Sequence, residues 1–103
     1  MAHWLELDAL YPEMEEATLG RWLVREGETI AAGQSVAELI TDKVAYEYQS
    51  PAAGVVLVQL IAEKSVIPVG TALAAVGTAG EALPDREAVT ARNHQLAAAR
   101  DSR

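Results

Sequence analysis

The four residues Thr41-Asp42-Lys43-Val44 form the segment of this chain best suited to chemistry. They lie between two strand-like runs, Ser35 to Ile40 and Ala45 to Tyr48, and a Pro51–Gly54 turn follows shortly after. A lysine at a hairpin tip presents its amine to solvent, where a modifying enzyme can reach it. The segment therefore reads as an attachment point, and the chain as a carrier rather than a catalyst. Asp42 reads as a turn residue capping backbone N–H groups. The chain has no cysteine, so it has no disulfide, thiolate ligand or cysteine nucleophile. Any redox chemistry must come from an attached group. His3 and His94 stand alone near opposite ends. Glu13, Glu15, Glu16, Glu38 and Glu47 read as solvated faces, with the acidic loop as a recognition surface, not as paired catalytic carboxylates. Gly20, Gly27, Gly33, Gly54 and Gly70 are spaced as turn residues and do not form a phosphate-binding loop.

An internal repeat positions this lysine. A shift of 37 residues brings Leu23 onto Leu60, Val24 onto Ile61, Glu26 onto Glu63, Ile30 onto Ile67 and Gly33 onto Gly70. It also brings Val36 onto Leu73, Ala37 onto Ala74 and Leu39 onto Val76. Each copy reads as strand, polar turn, short apolar piece, glycine, strand. Two copies are too few for a solenoid and predict a domain with pseudo-two-fold symmetry. Lys43 falls at the junction between the copies.

The composition agrees with a small domain of strands. The chain has 103 residues and no Phe, and only 5% of it is aromatic. Its core must come from Val, Leu, Ile and Ala. These cluster in short runs bounded by Gly, Pro and acidic turns, which favours strands. The net charge of −7 argues against nucleic acid and suits partners with basic patches. No apolar stretch is long enough to span a bilayer, and the N-terminus lacks the pattern of a signal peptide. No membrane association, a monomeric isolated domain and a cytoplasmic setting (or a mitochondrial matrix, in a eukaryote) are the expectations.

Strands are predicted over His3–Leu7, Thr18–Val24, Ser35–Ile40, Val44–Tyr48, Val55–Ile61 and Ala72–Val76. An acidic loop, Ala9 to Glu16, follows the first. Leu23, Val24, Val36, Leu39, Val56, Leu60, Ile61, Leu73 and Val76 are the predicted core, with Leu19, Trp22 and Trp4 as further packing residues. The organisation expected is a carrier domain over residues 1–80 and a flexible or partly helical tail or linker over 81–103. In that tail only Val89 and Leu96 suggest a weak helical face.

With those residues in place, the chain resembles the lipoyl domains of the 2-oxo acid dehydrogenase acyltransferases. The family pattern Glu-x-x-Thr-Asp-Lys, then x-x-x-Glu and Ser-Pro-x-x-Gly, is met by Glu38, Thr41-Asp42-Lys43, Glu47, Ser50-Pro51 and Gly54. Ala9-Leu10-Tyr11-Pro12-Glu13-Met14 with Glu16 is similar to the family's Ala-Leu-Ser-Pro-x-Met-x-Glu-Gly loop. Trp22-Leu23-Val24, Gly27 to Ile30 and Pro68-Val69-Gly70 match further turns and strands, so the resemblance covers roughly residues 5–77. Three positions depart from it. Ala17 and Lys64 replace glycines, and Ile40 replaces an acidic residue that often precedes Thr-Asp-Lys.

The resemblance implies an all-β fold, a flattened β-barrel or barrel-sandwich hybrid of two small antiparallel sheets. Lys43 would lie at one end and the termini at the other. It implies lipoate joined by an amide to Lys43, with Thr41, Asp42 and Val44 as the flanking recognition turn. The implied partners are a lipoate ligase or lipoyl transferase, a thiamine-diphosphate decarboxylase, an acyltransferase core and a flavin dihydrolipoamide dehydrogenase. The domain would be a non-catalytic swinging-arm carrier, free-standing or part of a longer acyltransferase. Biotin carriers share the architecture but have Met on both sides of their lysine, where this chain has Asp42 and Val44. An unmodified docking module is a further alternative, as is the glycine-cleavage hydrogen carrier, whose longer helical decoration is missing here.

Overall fold

Antiparallel pairing organises nearly everything in the computed structural model, which describes residues 2–101. The strands are β1 His3–Glu6, β2 Glu16–Trp22, β3 Thr29–Ile30, β4 Ser35–Ile40, β5 Ala45–Gln49, β6 Gly54–Gln59, β7 Val66–Pro68 and β8 Ala72–Gly77. One helix, α1, spans Arg86–Asp101. The strands form two four-stranded sheets in the orders β1-β8-β6-β3 and β5-β4-β2-β7. The flattened-barrel expectation thus resolves into a sandwich of two separate sheets, not one closed barrel. Each short strand, β3 or β7, leaves the sheet of the strand before it and adds to the edge of the other. The two halves are thereby interlocked.

The two-fold relation extends to individual hydrogen bonds. The 37-residue shift carries β2, β3 and β4 onto β6, β7 and β8. Leu23 N–H donates to Val36 O at 2.9 Å, and Leu60 N–H to Leu73 O at 2.8 Å. The indole N–H of Trp22 donates to Ile61 O at 2.8 Å, and the Gln59 amide to Val24 O at 2.9 Å. Glu63 accepts from the Trp22 N–H, and Glu26 from the Gln59 N–H. Each half thus closes the turn of the other. Trp22 is a structural tie and not a binding platform, and Glu26 and Glu63 belong to the scaffold.

The polar turns are matched as well. Gly27 has φ +89° and donates to Val56 O at 2.7 Å; Lys64 has φ +73° and donates to Leu19 O at 2.6 Å. Lys64 is the single non-glycine residue at positive φ among the described residues. A side chain there costs about 1–2 kcal/mol of steric strain, part of which the lost chain entropy of a glycine offsets. Lys64→Gly is therefore expected to stabilise the domain by roughly 0.5–1 kcal/mol. Urea unfolding reads it directly, and an unchanged or lower midpoint would count against the strain.

Between the sheets lie Leu5, Leu7, Leu19, Val24, Val36, Leu39, Val56, Leu73 and Val76, with smaller contributions from Met14, Ala17, Ile30, Ala37, Ile67 and Ala74. Of the predicted core, Leu23, Leu60 and Ile61 are only half-buried. All three lie just past the ends of β2 and β6. Register irregularities between Leu19 and Arg21 and between Val56 and Val58 shift the alternation before these strands end. Ala17 packs in the core where the resembled pattern has glycine.

Of the two expectations for the tail, flexible or partly helical, the structure has the helical one. Residues 86–101 form one continuous helix, held largely by polar contacts. Asn93 is buried; its carbonyl accepts from Ala72 N–H and its amide donates to Ala72 O, both at 2.9 Å. β1 slips register between Leu5 and Glu6 beside this point, so the Ala72 peptide is free to pair with a side chain. Arg92 donates to Glu6 at 3.0 Å, and the Trp4 indole donates to Asp85 at 2.9 Å just before α1 begins. An apolar stripe was the signal sought in the sequence, and a side-chain amide acting as a surrogate strand leaves no such stripe. Asn93→Ala is expected to cost about 2 kcal/mol, because it leaves two backbone groups of Ala72 unpaired. An unshifted thermal midpoint would show the helix to be only loosely attached.

Candidate functional site

The turn 41–44 joins β4 to β5. Ile40 and Ala45 are the last cross-strand pair, so the hairpin closes over four residues. Thr41 organises it almost alone. Its N–H and its hydroxyl both donate to Val44 O, at 2.8 and 2.9 Å. Its hydroxyl oxygen accepts from the N–H groups of Val44 and Lys43, at 3.0 and 3.2 Å. The threonine thus performs the capping that the sequence reading gave to Asp42. Asp42, Lys43 and Val44 are exposed. The shift of 37 residues that relates the halves takes Lys43 to Gly80, just beyond β8. The pairing of β1 with β8 places both chain ends of the domain at that opposite, pseudo-symmetric position.

Asp42 is instead braced from the side. The Tyr11 hydroxyl donates to its carboxylate at 2.9 Å, and the Lys43 amine sits 5.7 Å from the centre of the Tyr11 ring. Sequence reasoning passed over Tyr11, although it stands where the resembled loop has serine. The largest influence on its phenol, the nearby Thr41 hydroxyl, acts to lower the pKa; desolvation and the Asp42 and Glu13 carboxylates outweigh it and raise the value. The phenol therefore stays protonated, and able to donate to Asp42, throughout the neutral range.

Tyr11 is held by its own loop. Met14 N–H donates to Tyr11 O at 3.0 Å, and Leu10 N–H points at the Met14 sulfur at 3.1 Å. Met14 is buried in the core, which anchors the loop. Between loop and hairpin runs an open cleft of about 680 Å³ lined by Tyr11, Glu13, Glu15, Glu16, Ile40 and Lys43 among others. Apolar side chains rim the same end, with Leu10, Ile40 and Val44 all substantially exposed. The result is an amine at the tip of a rigid hairpin, with an acidic wall on one side and an apolar rim.

The remaining carboxylates do not assemble with the lysine. Glu38 pairs with Arg21 across β4 and β2, and Glu47 lies opposite Glu38 on β5. The Ser-Pro-x-x-Gly segment is structural. Ser50 is buried, and its hydroxyl donates to Ala52 O at 2.6 Å, while its backbone links to Gly33 and Gln34.

Residues 11–76 match the biotin/lipoyl family model, described as biotin-requiring enzyme. The dihydrolipoyllysine-residue acetyltransferase component of the pyruvate dehydrogenase complex of Zymomonas mobilis is 41% identical over 78 residues, 75% of this chain and 18% of that protein. Its counterpart in Rickettsia typhi is 33% identical over 91 residues, 87% of this chain and 22% of that protein. The chain thus spans about a fifth of the length of these curated relatives. In structure, the lipoyl domain of the 2-oxoglutarate dehydrogenase complex from Azotobacter vinelandii aligns with a TM-score of 0.57 at 24% identity. That alignment covers 70% of this chain and 94% of that domain. A single-chain, multi-domain long-chain acyl-CoA carboxylase aligns with a TM-score of 0.61 at 19% identity, over 88% of this chain and 8% of that one.

Proposed function

From the premise that the chain belongs to the biotin/lipoyl family, we propose that it is a lipoyl carrier domain with Lys43 as its attachment residue. The observation that carries this is the presentation of the Lys43 amine at the tip of a rigid, exposed hairpin. The site fits the group. Lys43 is exposed and the cleft beside it is open. Asp42 precedes the lysine as in the resembled lipoyl pattern, and Val44 follows it, where biotin carriers have methionine on both sides.

When attached, the dithiolane supplies the reversible sulfur redox and acyl-carrying chemistry that a chain without cysteine lacks. The residues of this chain bind and orient. Lys43 provides the nitrogen that forms the amide. Thr41 fixes the hairpin so that the lysine stem always starts from the same point and direction. Asp42 and the acidic wall of Glu13, Glu15 and Glu16 offer charge to a basic partner surface, and Ile40 and Val44 offer it apolar contact. A tethered arm raises the effective concentration of its cargo near each partner site. The domain itself lowers no barrier beyond that. The partners we propose are a lipoate ligase or transferase, a thiamine-diphosphate decarboxylase, the acyltransferase core and a flavin dihydrolipoamide dehydrogenase. The substrate assignment is a pyruvate-type 2-oxo acid, supported by the acetyltransferase relatives.

Intact-mass measurement of protein expressed in a lipoate-supplied host tests the proposal. One lipoyl amide per chain, mapped to Lys43 by peptide mass, is the expected result. A biotinyl amide at Lys43, or an unmodified chain in the presence of a competent ligase, would overturn it.

A further inference from the structure

Lys43 and Tyr11 make a contact that nothing in the carrier chemistry requires. Tyr11 is held at three points. Its hydroxyl is fixed on Asp42 at 2.9 Å, its carbonyl accepts from Met14 N–H, and its loop is pinned by buried Met14. The backbone of Lys43 is equally fixed, by the Thr41 hydroxyl. Two rigid supports therefore face each other, and only the lysine stem between them is free to turn. The amine lies 5.7 Å from the ring centre, within the range in which a ring face attracts an ammonium.

That attraction depends on the charge of the nitrogen. In acylation the ammonium first gives up a proton to solvent or to a base of the ligase. The nitrogen then bonds to the acyl carbon of an activated donor of the acyl-adenylate class. The bond from that carbon to the phosphate oxygen breaks, and the nucleotide leaves with the electron pair. The nitrogen, which now carries two hydrogens and a positive charge, gives its second proton to solvent or to the same base and ends as a neutral amide, for which the ring face has no cation attraction. Resting on the carrier reading above, we propose that Tyr11 is a positioning residue of the modification site, whose ring holds the unmodified Lys43 ammonium against the domain and releases it once it is acylated. The arm is thus parked before loading and free after it. A serine, which the resembled loop carries at this position, has no ring to do this.

Two measurements test the proposal. In protein labelled with 13C-lysine, the only two lysines are Lys43 and Lys64. The ε-methylene protons of Lys43 should be shifted upfield of those of Lys64 by the ring current. The shift should persist in Tyr11→Phe, vanish in Tyr11→Ala, and vanish in the wild type after acetylation with acetic anhydride. No shift in the wild type, its loss in Tyr11→Phe, or its survival after acetylation would each overturn the latch. This arm needs no ligase, so it stands even if Lys43 proves never to be lipoylated, an outcome that would defeat the carrier reading instead.

The second measurement is ligation kinetics with a lipoate ligase. A contact made in the free domain and broken in the ligase complex stabilises the ground state alone. Tyr11→Ala should therefore lower KM by about two- to five-fold with kcat unchanged, the factor corresponding to one exposed cation–ring contact. Tyr11→Phe should restore the wild-type KM. A KM that is unchanged or raised in Tyr11→Ala would reject the proposal.

Discussion

Lys43→Arg is expected to abolish covalent loading completely while leaving the fold intact. A guanidinium does not form the required amide, so no lipoyl adduct should be seen by intact mass. Stability should change by no more than about 0.5 kcal/mol, because the side chain is exposed and the hairpin is closed by Thr41 rather than by the lysine. The positive charge near the Tyr11 ring is also kept. Lys64→Arg is the matched control, since Lys64 lies in the polar turn of the second half, related by symmetry to Gly27 and not to Lys43. It should load normally. In a reconstituted complex, acyl transfer should stop with Lys43→Arg and continue with Lys64→Arg. Loading retained in Lys43→Arg, or an adduct found on Lys64, would show that the attachment residue had been misassigned. A destabilised Lys43→Arg would show that the lysine supports the hairpin, against the geometry of Thr41.

Different parts of the molecule were legible in the sequence to different degrees, and the reasons are physical. The repeat was legible because the two halves share the same apolar phase and the turn glycine Gly33/Gly70, although Lys64 stands where the first half has Gly27. Leu23 on Leu60 and Val36 on Leu73 recur as one hydrogen bond in each half. The exchange of β3 and β7 between sheets was not legible, since a strand's sequence does not name its neighbour. Leu23, Leu60 and Ile61 are core by the matched apolar phase of the two copies, and that phase carries no record of the register shift within each sheet that leaves them half-buried. The attachment hairpin was legible as a motif, but its internal division of labour was not. Thr41 caps and Asp42 binds Tyr11, a residue 31 positions away, and no local pattern encodes that pairing. Helix α1 was legible only as partial helicity, with Val89 and Leu96 as a weak face, for the converse reason. Its anchor is one buried asparagine bonded to a peptide 21 residues away, which leaves no periodic apolar trace.

Gly54→Ala should be the most destabilising small substitution in the scaffold. The glycine of Ser-Pro-x-x-Gly reads in sequence as an ordinary turn residue. In the structure it opens β6, pairs with Ile30 of β3, and has φ +152°. A Cβ there would lie 2.7 Å from the Gly77 carbonyl oxygen and 3.0 Å from a methyl of Val76. The nearer atom belongs to the backbone of β8, the strand that β6 itself pairs with, so neither side can withdraw without breaking the ladder. Backbone strain and overpacking of this kind together amount to about 3 kcal/mol. For a domain of this size that corresponds to a fall in melting temperature of roughly 10–20 °C. Gly33→Ala is the informative comparison. Gly33 also has positive φ, +85°, but nothing lies within 4 Å of its would-be Cβ. It should lose only the conformational part, about 1–2 kcal/mol. If the two variants melt together, the close approach of β6 to β8 is not what the motif's glycine protects. If Gly54→Ala melts far lower yet still accepts lipoate at Lys43 when cold, the motif divides as the geometry indicates. Its Thr-Asp-Lys segment would then present the amine, and its Ser-Pro-x-x-Gly segment would seat one half of the sandwich on the other.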